Sequence, residues 1–113
     1  MHEVSLCESV LMILEAHAKV HGYQRVKTVW LEIGSLAAVD PEAMNFSFDA
    51  VMKGTLAEGA KLEIIEVPGE ARCYQCNKTV ALRRLGDPCP ECGSYDLEII
   101  EGEGMRIKDV SVV

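Results

Sequence analysis

The sequence lacks the long apolar run that a membrane-spanning helix requires. No stretch of about 18 apolar residues occurs in the 113 residues, so we expect no membrane association. The first apolar segment is preceded by no Lys or Arg and is interrupted by Glu8, Glu15 and Lys19. It therefore does not have the pattern of a secretory signal peptide.

Positive charge is also scarce. Eleven Lys and Arg residues stand against eighteen Asp and Glu residues, which gives a formal net charge of -7. The nearest approach to a basic patch is the pair Arg83-Arg84. Because nucleic-acid-binding surfaces are rich in Lys and Arg, we predict that the chain binds neither DNA nor RNA.

Signatures of catalysis are missing as well. The chain contains no phosphate-binding Gly-rich loop with Lys-Ser/Thr, no nucleophile elbow and no His-Glu-x-x-His. Its carboxylates are scattered, as expected for a solvated acidic surface. We therefore predict that the protein is not an enzyme.

Metal-binding chemistry is concentrated in two Cys-x-x-Cys pairs. The pairs are Cys73–Cys76 and Cys89–Cys92, and residues 77–88 separate them. This pattern is typical of a four-thiolate site, although the separation is just below the usual range. Zn²⁺ suits four thiolates, and a site with all four positions filled by protein is structural. The alternatives are two unrelated redox motifs or two disulfides.

The cysteines also bear on location and charge. Reduced, metal-binding thiols without a secretion signal predict a cytoplasmic protein. Four thiolates and one Zn²⁺ would bring the net charge to about -9. The fifth cysteine, Cys7, is expected to be a buried thiol in a helical first turn, and a reactive cysteine of low pKa is the alternative.

Helix and strand signals fill the rest of the chain. Ser5 and Glu8 match a capping box, which predicts a helix from about Leu6 to His21 with Ile13 and Val20 on its apolar stripe. Asp40 and Pro41 predict the start of a second helix that ends before Gly54. The remaining predicted elements are strands at 25–33, 62–67, 95–100 and 105–113, and a hairpin arm at 79–84.

The last predicted strand is too apolar for an exposed tail, because it carries Ile107, Val110 and Val112. We expect it to return to the sheet of the first domain. The sequence thus predicts an α+β fold: a small mixed β-sheet with two helices, formed by 1–68 with 104–113, and an inserted zinc-ribbon module at 69–103. A module this small cannot build a sufficient core, so a metal must hold it together.

Histidines offer two further sites. His2 places an imidazole and its backbone nitrogen close to the terminal amine, a set of nitrogens that suits square-planar Ni²⁺ or Cu²⁺. By composition alone the signal is weak, and chance is the preferred explanation of a histidine at this position. His17 and His21 lie four residues apart on one helical face, where they could bind a metal or simply interact with the helix dipole.

Four features in this order resemble the HypA/HybF family of nickel metallochaperones for [NiFe] hydrogenase maturation. They are Met1-His2-Glu3, the segment 30–34 (Trp-Leu-Glu-Ile-Gly), the loop 54–59 (Gly-Thr-Leu-Ala-Glu-Gly) and the two cysteine pairs. The resemblance covers essentially the whole chain. The Met-His-Glu start combined with two Cys-x-x-Cys pairs is more specific than either feature alone.

The resemblance implies two metals and two protein partners. It implies that Ni²⁺ binds through the His2 imidazole and neighbouring backbone nitrogens, those of Met1 and Glu3 included, with Asp40 near the site. It implies that Zn²⁺ is bound by the four paired cysteines. The implied partners are the GTPase HypB and the hydrogenase large subunit, and we expect a monomer or weak homodimer.

This chain departs from some family members in two respects. Some carry histidines directly beside the zinc cysteines, where Asn77 and Gly93 stand here, so a histidine-dependent change of zinc coordination is not expected. Others have an additional nickel-ligating histidine between the cysteine pairs. The spacer 77–88 has none, so the fourth nickel ligand would be backbone, water or a partner.

Two other classes of function remain compatible with the cysteines. The segment Cys89-Pro-Glu-Cys92-Gly93 also suits a rubredoxin-like Fe(Cys)₄ electron carrier. A zinc-ribbon adaptor for protein–protein contacts, without nickel, is the other. The colour of the isolated protein separates the first of these, because a zinc protein is colourless and an Fe(Cys)₄ protein is red.

Overall fold

The computed structural model describes residues 2–113, which form two α-helices, a short 3₁₀ segment and six strands. The helices are α1 (His2–His21) and α2 (Pro41–Met52), and the 3₁₀ segment is Ser35–Ala37. The strands are β1 (Val26–Gly34), β2 (Lys61–Val67), β3 (Gly69–Cys73), β4 (Thr79–Leu82), β5 (Leu97–Glu101) and β6 (Met105–Val112). No helix within these residues is long and apolar enough to cross a membrane.

The first helix starts earlier than predicted. It begins at His2, so Ser5 lies inside it and accepts at its backbone oxygen from the Ser9 hydroxyl, at 3.1 Å. The predicted capping box at Ser5 and the start at Leu6 are therefore wrong. The buried face is also narrower than predicted, since Ile13 and Val20 are exposed.

The second helix begins as the sequence predicts. The Asp40 side chain accepts from the Glu42 backbone N–H at 3.0 Å, and Pro41 occupies the first helical position. This cap satisfies one of the helical N–H groups that have no backbone partner. The helix ends at Met52, and Gly54 follows with a φ of 75°.

The two helices pack through a small group of fully buried side chains. Cys7, Val10 and Leu14 of α1 are at most 1% exposed, as are Met44 and Phe48 of α2. The Cys7 thiol lies 3.6 Å from the Met44 backbone oxygen. Burying an apolar side chain of this size contributes about 1.5–3 kcal/mol, so this contact fixes α1 against α2.

Within residues 2–113 the strands form two three-stranded sheets. The order of the first is β2-β1-β6, which confirms that the last strand returns to the sheet that contains β1. The second has the order β4-β3-β5 and is antiparallel, with Ala71 paired to Val80 on one side and to Ile99 on the other. The central strand β3 was not among the predicted elements.

The chain divides into two compact units. One comprises residues 1–31, 39–64 and 107–113, and the other comprises 32–38 and 65–106. We call the second unit the cysteine unit. The predicted α+β class with a four-cysteine module is confirmed. The predicted module boundaries, 69–103, lie within the cysteine unit and stay a prediction.

Three glycines of the cysteine unit, Gly34, Gly69 and Gly102, lie where backbone segments approach closely, and we call this contact the glycine crossing. The N–H of Gly34 donates to the Gly104 oxygen at 2.8 Å, and the N–H of Leu36 donates to the Gly102 oxygen at 2.9 Å. A Cβ added at Gly34 would lie 1.9 Å from the Gly102 oxygen, and one added at Gly102 would lie 2.6 Å from the Cα of Gly69. Only residues without a side chain permit this close backbone approach.

Candidate metal centre

The four paired cysteines converge on one point. Their sulfurs all lie within 4.8 Å of one another. The Cys73 and Cys92 sulfurs are 3.6 Å apart, and the Cys76 and Cys89 sulfurs are 3.8 Å apart. Four sulfurs on a tetrahedron with Zn–S bonds of about 2.3 Å would be about 3.8 Å apart. The spacing therefore fits one tetrahedral metal ion.

Disulfide pairing does not occur in this arrangement. All five cysteines, each within the described part of the chain, are free. A disulfide would require a sulfur–sulfur distance of about 2.05 Å. The two-disulfide alternative is thus not what the structure contains.

Both cysteine pairs adopt the same backbone turn. The N–H of Asn77 donates to the Cys73 oxygen at 2.9 Å, and the N–H of Gly93 donates to the Cys89 oxygen at 2.8 Å. Asn77 and Gly93 follow the second cysteine of each pair, and both have positive φ angles, 57° and 78°. Glycine adopts this conformation without strain, and asparagine tolerates it better than most residues.

A second hydrogen bond closes each turn. The N–H of Cys73 donates to the Lys78 oxygen at 2.9 Å, and the N–H of Cys89 donates to the Ser94 oxygen at 2.7 Å. The first cysteine of each pair is therefore bonded to its own turn through both its oxygen and its N–H. The two cysteines of each pair point to one side because the backbone holds them there.

The surroundings of the cluster lower the pKa of one thiol and raise that of another. The N–H of Cys76 is the main cause that lowers the pKa of Cys73 to about 7. Burial is the main cause that raises the pKa of Cys76 to about 12. Four thiolates this close would repel one another, and a divalent cation removes that repulsion. The arrangement is chemically suited to a metal.

The cysteines are also part of the core of their unit. Cys73 and Cys89 are at most 2% exposed and pack in a cluster whose other buried members are Leu36, Ala71, Val80 and Leu82. Few apolar side chains contribute, so the cluster is small. A core this small needs a further source of stability besides burial, such as a structural metal ion.

The residues predicted for nickel lie at the start of α1. His2 is exposed and is the first described residue of the helix, whereas Met1 lies outside the described residues. The backbone N–H groups of His2 and Glu3 belong to the first turn, where no intrahelical acceptor exists. They can therefore face a ligand without breaking a helical hydrogen bond.

Glu3 and Asp40 meet at this helix start. The Asp40 N–H donates to the Glu3 Oε2 at 3.4 Å. The pKa of Glu3 is lowered, chiefly by its own backbone N–H and then by that of Asp40. Glu3 thus stays ionised at neutral pH. The family resemblance implies that Asp40 lies near the nickel residues, and in the structure its backbone N–H contacts Glu3.

Cys7 is a packing residue. It is 0% exposed, and burial, followed by repulsion from Glu3, raises its pKa to about 11. This environment favours the protonated thiol and not a reactive thiolate of low pKa. The expectation of a buried thiol is confirmed.

Comparison with known proteins identifies the family. The family described as "Hydrogenase/urease nickel incorporation, metallochaperone, hypA" matches residues 1–112. The chain is 51% identical to a hydrogenase maturation factor HypA of Azotobacter chroococcum and 54% identical to one of Alkalilimnicola ehrlichii. In each case the match covers 99% of both chains.

Solved structures agree with the fold. The solution structure of the Ni metallochaperone HypA from Helicobacter pylori aligns with a TM-score of 0.71 at 24% identity, over 98% of this chain and 97% of that one. At this identity the likeness shows the fold alone. A second solution structure of a HypA protein aligns with a TM-score of 0.72 at 26% identity, over 100% of this chain and 97% of that one.

These matches confirm the resemblance drawn from the sequence. The family consists of metallochaperones and maturation factors, which confirms the prediction that the protein is not an enzyme. The relatives are described by nickel incorporation and hydrogenase maturation, and none of those named here is described as an electron carrier. The chain belongs to the HypA family of hydrogenase and urease nickel-incorporation metallochaperones.

Proposed function

We propose that this protein binds Ni²⁺ at its N-terminus and delivers it during [NiFe] hydrogenase maturation, while Zn²⁺ at the four cysteines maintains the fold. The observation that carries the proposal is the Met1-His2-Glu3 start in a chain that matches the nickel-incorporation family over residues 1–112. The His2 imidazole and nitrogens of Met1, His2 and Glu3 would bind the ion. The fourth ligand would be backbone, water or a partner.

Electrostatics at the helix start support a cation site on balance. The N-terminus of a helix carries a partial positive charge, which opposes a cation by about 0.3–1 kcal/mol. The ionised Glu3 and the adjacent Asp40 offset this charge. A backbone nitrogen that loses its proton to solvent when it binds the metal adds a further negative charge.

Exposure of the site suits transfer. His2 is exposed, so a client can approach the ion and exchange ligands one at a time. We propose the GTPase HypB and the hydrogenase large subunit as the proteins that take part in this transfer. The function would be performed in the cytoplasm, where thiols stay reduced.

Zinc is the metal that we propose for the cysteine cluster. The spacing of the sulfurs fits a tetrahedral ion, and zinc has no redox chemistry that would perturb a structural site. We expect the isolated protein to be colourless and to contain one zinc per chain by metal analysis. A red protein with iron at the same stoichiometry would contradict this assignment.

The nickel site is tested by titration of untagged protein followed by absorption spectroscopy. We expect wild-type protein to bind one Ni²⁺ tightly, and His2→Ala to lose this binding while it retains zinc and helix content. His17→Gln is the matched control, because it removes an α1 imidazole far from the N-terminus and should leave the tight site unchanged.

Two outcomes would overturn the assignment. The first is tight nickel binding by His2→Ala with wild-type stoichiometry. The second concerns the terminal amine, which an N-terminal extension removes from the site. If the extended protein gives the same nickel spectrum as wild type, side chains alone bind the ion.

A further inference from the structure

The last turn of α1 presents two imidazoles side by side. His17 and His21 are both exposed, and their ring centroids are 4.1 Å apart with an interplanar angle of 36°. Residues four apart lie on one face of a helix, so the backbone itself holds the rings together. One ion bound by both rings needs a nitrogen of each at about 2.0–2.1 Å, which rings this close could supply by turning about their side-chain bonds toward a common point.

Tyr23 orients one of these rings. The chain turns at Gly22, whose φ is 76°, and this brings the Tyr23 hydroxyl to 2.8 Å from the His17 Nδ1. This hydrogen bond can run in either direction: in the tautomer with its proton on Nδ1, the His17 N–H donates to the Tyr23 oxygen, and the Tyr23 hydroxyl can donate to the Leu14 backbone oxygen at 3.4 Å. In that tautomer, which metal binding at Nε2 would select, the Nε2 of His17 carries the free lone pair. Metal-binding histidines typically donate their other ring N–H in this way.

The charge at this end of the helix favours a cation. The last carbonyl groups of α1 have no intrahelical partner, and together they carry a partial negative charge. The nearest cation in sequence, Lys19, is two residues from each histidine. It therefore lies about 160–200° away around the helix. The imidazoles thus face a surface free of that lysine.

We propose that His17 and His21 form a second site for a divalent late transition-metal ion, bound through the Nε2 of His17 and a ring nitrogen of His21. Imidazole suits Ni²⁺, Cu²⁺ and Zn²⁺. Two protein ligands leave the other positions to water, so binding is weak and exchange is rapid. The fifteen-residue step from His2 to His17 corresponds to about 22 Å of helix, so the N-terminal residues do not share this ion.

The test uses the His2→Ala protein without a tag, titrated with Ni²⁺ and followed by NMR of the histidine rings. The chain has three histidines, so only His17 and His21 contribute ring signals in this background. We expect both sets of signals to broaden together with one midpoint. Separate midpoints, or no broadening before signals across the whole protein are affected, would overturn the proposal.

Three further variants in this background sharpen the test. His21→Gln should weaken binding on the order of tenfold, because the chelate is lost. Tyr23→Phe should weaken it by about tenfold, because His17 loses its orienting partner. Lys19→His combined with His21→Gln keeps two imidazoles but places them on opposite faces, so it should bind as weakly as His21→Gln alone.

The variant Lys19→His/His21→Gln is the decisive control. Loss of the lysine charge favours a cation if it has any effect, so weak binding by this variant can only reflect the broken spacing. If it binds as tightly as the His2→Ala parent, any two histidines suffice and there is no built site. Because His2 is absent throughout, failure of the N-terminal nickel site would not change these results.

Discussion

The cysteine cluster and the start of α1 are opposite kinds of site. In the cluster, two matching turns hold four sulfurs at tetrahedral spacing, and Cys73 and Cys89 are buried. At the helix start, His2 is exposed and the adjoining contact, from the Asp40 N–H to Glu3, is long at 3.4 Å. In the proposed function, the first arrangement would retain its ion and the second would allow its ion to leave. A protein that needs one permanent metal and one transported metal requires both.

Among the changes that test this difference between the two sites, the loss of one cluster sulfur should have the largest effect. Cys92 is exposed and Cys7 is fully buried, so packing alone predicts that Cys7→Ser is the more damaging change. If the cluster binds a structural metal, Cys92→Ser should be the more damaging change. Structural zinc contributes about 10–16 kcal/mol of apparent binding free energy, so Cys92→Ser should lose the metal and the ordered structure of residues 69–101.

The measurement is metal content together with amide NMR. Cys92→Ser should lose dispersion for signals of β3, β4 and β5 and retain those of α1 and α2. Cys7→Ser should keep full metal content and show only reduced thermal stability. Full metal content in Cys92→Ser would mean that three sulfurs suffice and that the site is not a closed structural one.

The glycine crossing gives the next largest effect. A Cβ at Gly34 would meet the Gly102 oxygen at 1.9 Å, whereas a Cβ at Gly104 would meet nothing within 4 Å. We expect Gly34→Ala to lower the free energy of unfolding by about 3 kcal/mol, as overpacking does. Gly104→Ala, the matched control, should stay within about 0.5 kcal/mol. Equal stability of the two variants by denaturant unfolding would refute a tight crossing.

Thiol reactivity separates protection by metal from protection by packing. Burial raises the pKa of Cys7 to about 11, so at neutral pH this thiol is ionised about a hundredfold less than an ordinary one. Its reactivity should rise roughly tenfold per pH unit up to that pKa. The four cluster thiols are protected only while the metal is bound.

Alkylation counted by mass spectrometry checks this difference at neutral pH. With metal bound, we expect almost no modified cysteines. A chelator should make four reactive and leave Cys7 intact, and denaturant should expose the fifth. Modification of Cys7 in the chelated but folded protein would show that α1 and α2 do not shield it.

Features that depend on local chemistry could be predicted from the sequence. The Asp40-Pro41 start of α2 was predicted correctly, because a cap and a proline act over one turn. The cysteine cluster was predicted from spacing, because each pair forms its own turn. The return of β6 was predicted from its apolar residues, which require a partner.

Features that depend on distant contacts could not be predicted. The helix start at His2 overrides the Ser5 capping signal, and Ile13 and Val20 are exposed although their spacing fits the apolar stripe. Strand β3 begins at Gly69, the second residue of a Pro-Gly pair that signals a turn, and its sheet forms only when β4 and β5 pair with it. The juxtaposition of Glu3 and Asp40 joins residues 37 apart, and no local pattern encodes it.

The smallest expected effect concerns the contribution of Asp40 to the proposed nickel site at the start of α1. Its side chain caps α2, and its backbone N–H reaches Glu3. Asp40→Ala removes the cap and should cost about 1 kcal/mol of stability. Asp40→Asn retains a capping oxygen and should cost little, but it removes a negative charge beside the proposed nickel residues. A unit charge at about 4 Å is worth about 1 kcal/mol in water, so nickel affinity should fall about fivefold.

The control for this prediction is Asp49→Asn, which removes an exposed charge from the same helix. It should leave both stability and nickel affinity unchanged. If Asp40→Asn also keeps full nickel affinity, Asp40 serves only as a helix cap, and the proposed nickel site depends on His2, Glu3 and the backbone. A fivefold loss in Asp40→Asn alone would mean that α2 supplies charge to a site whose ligands all belong to the start of the chain.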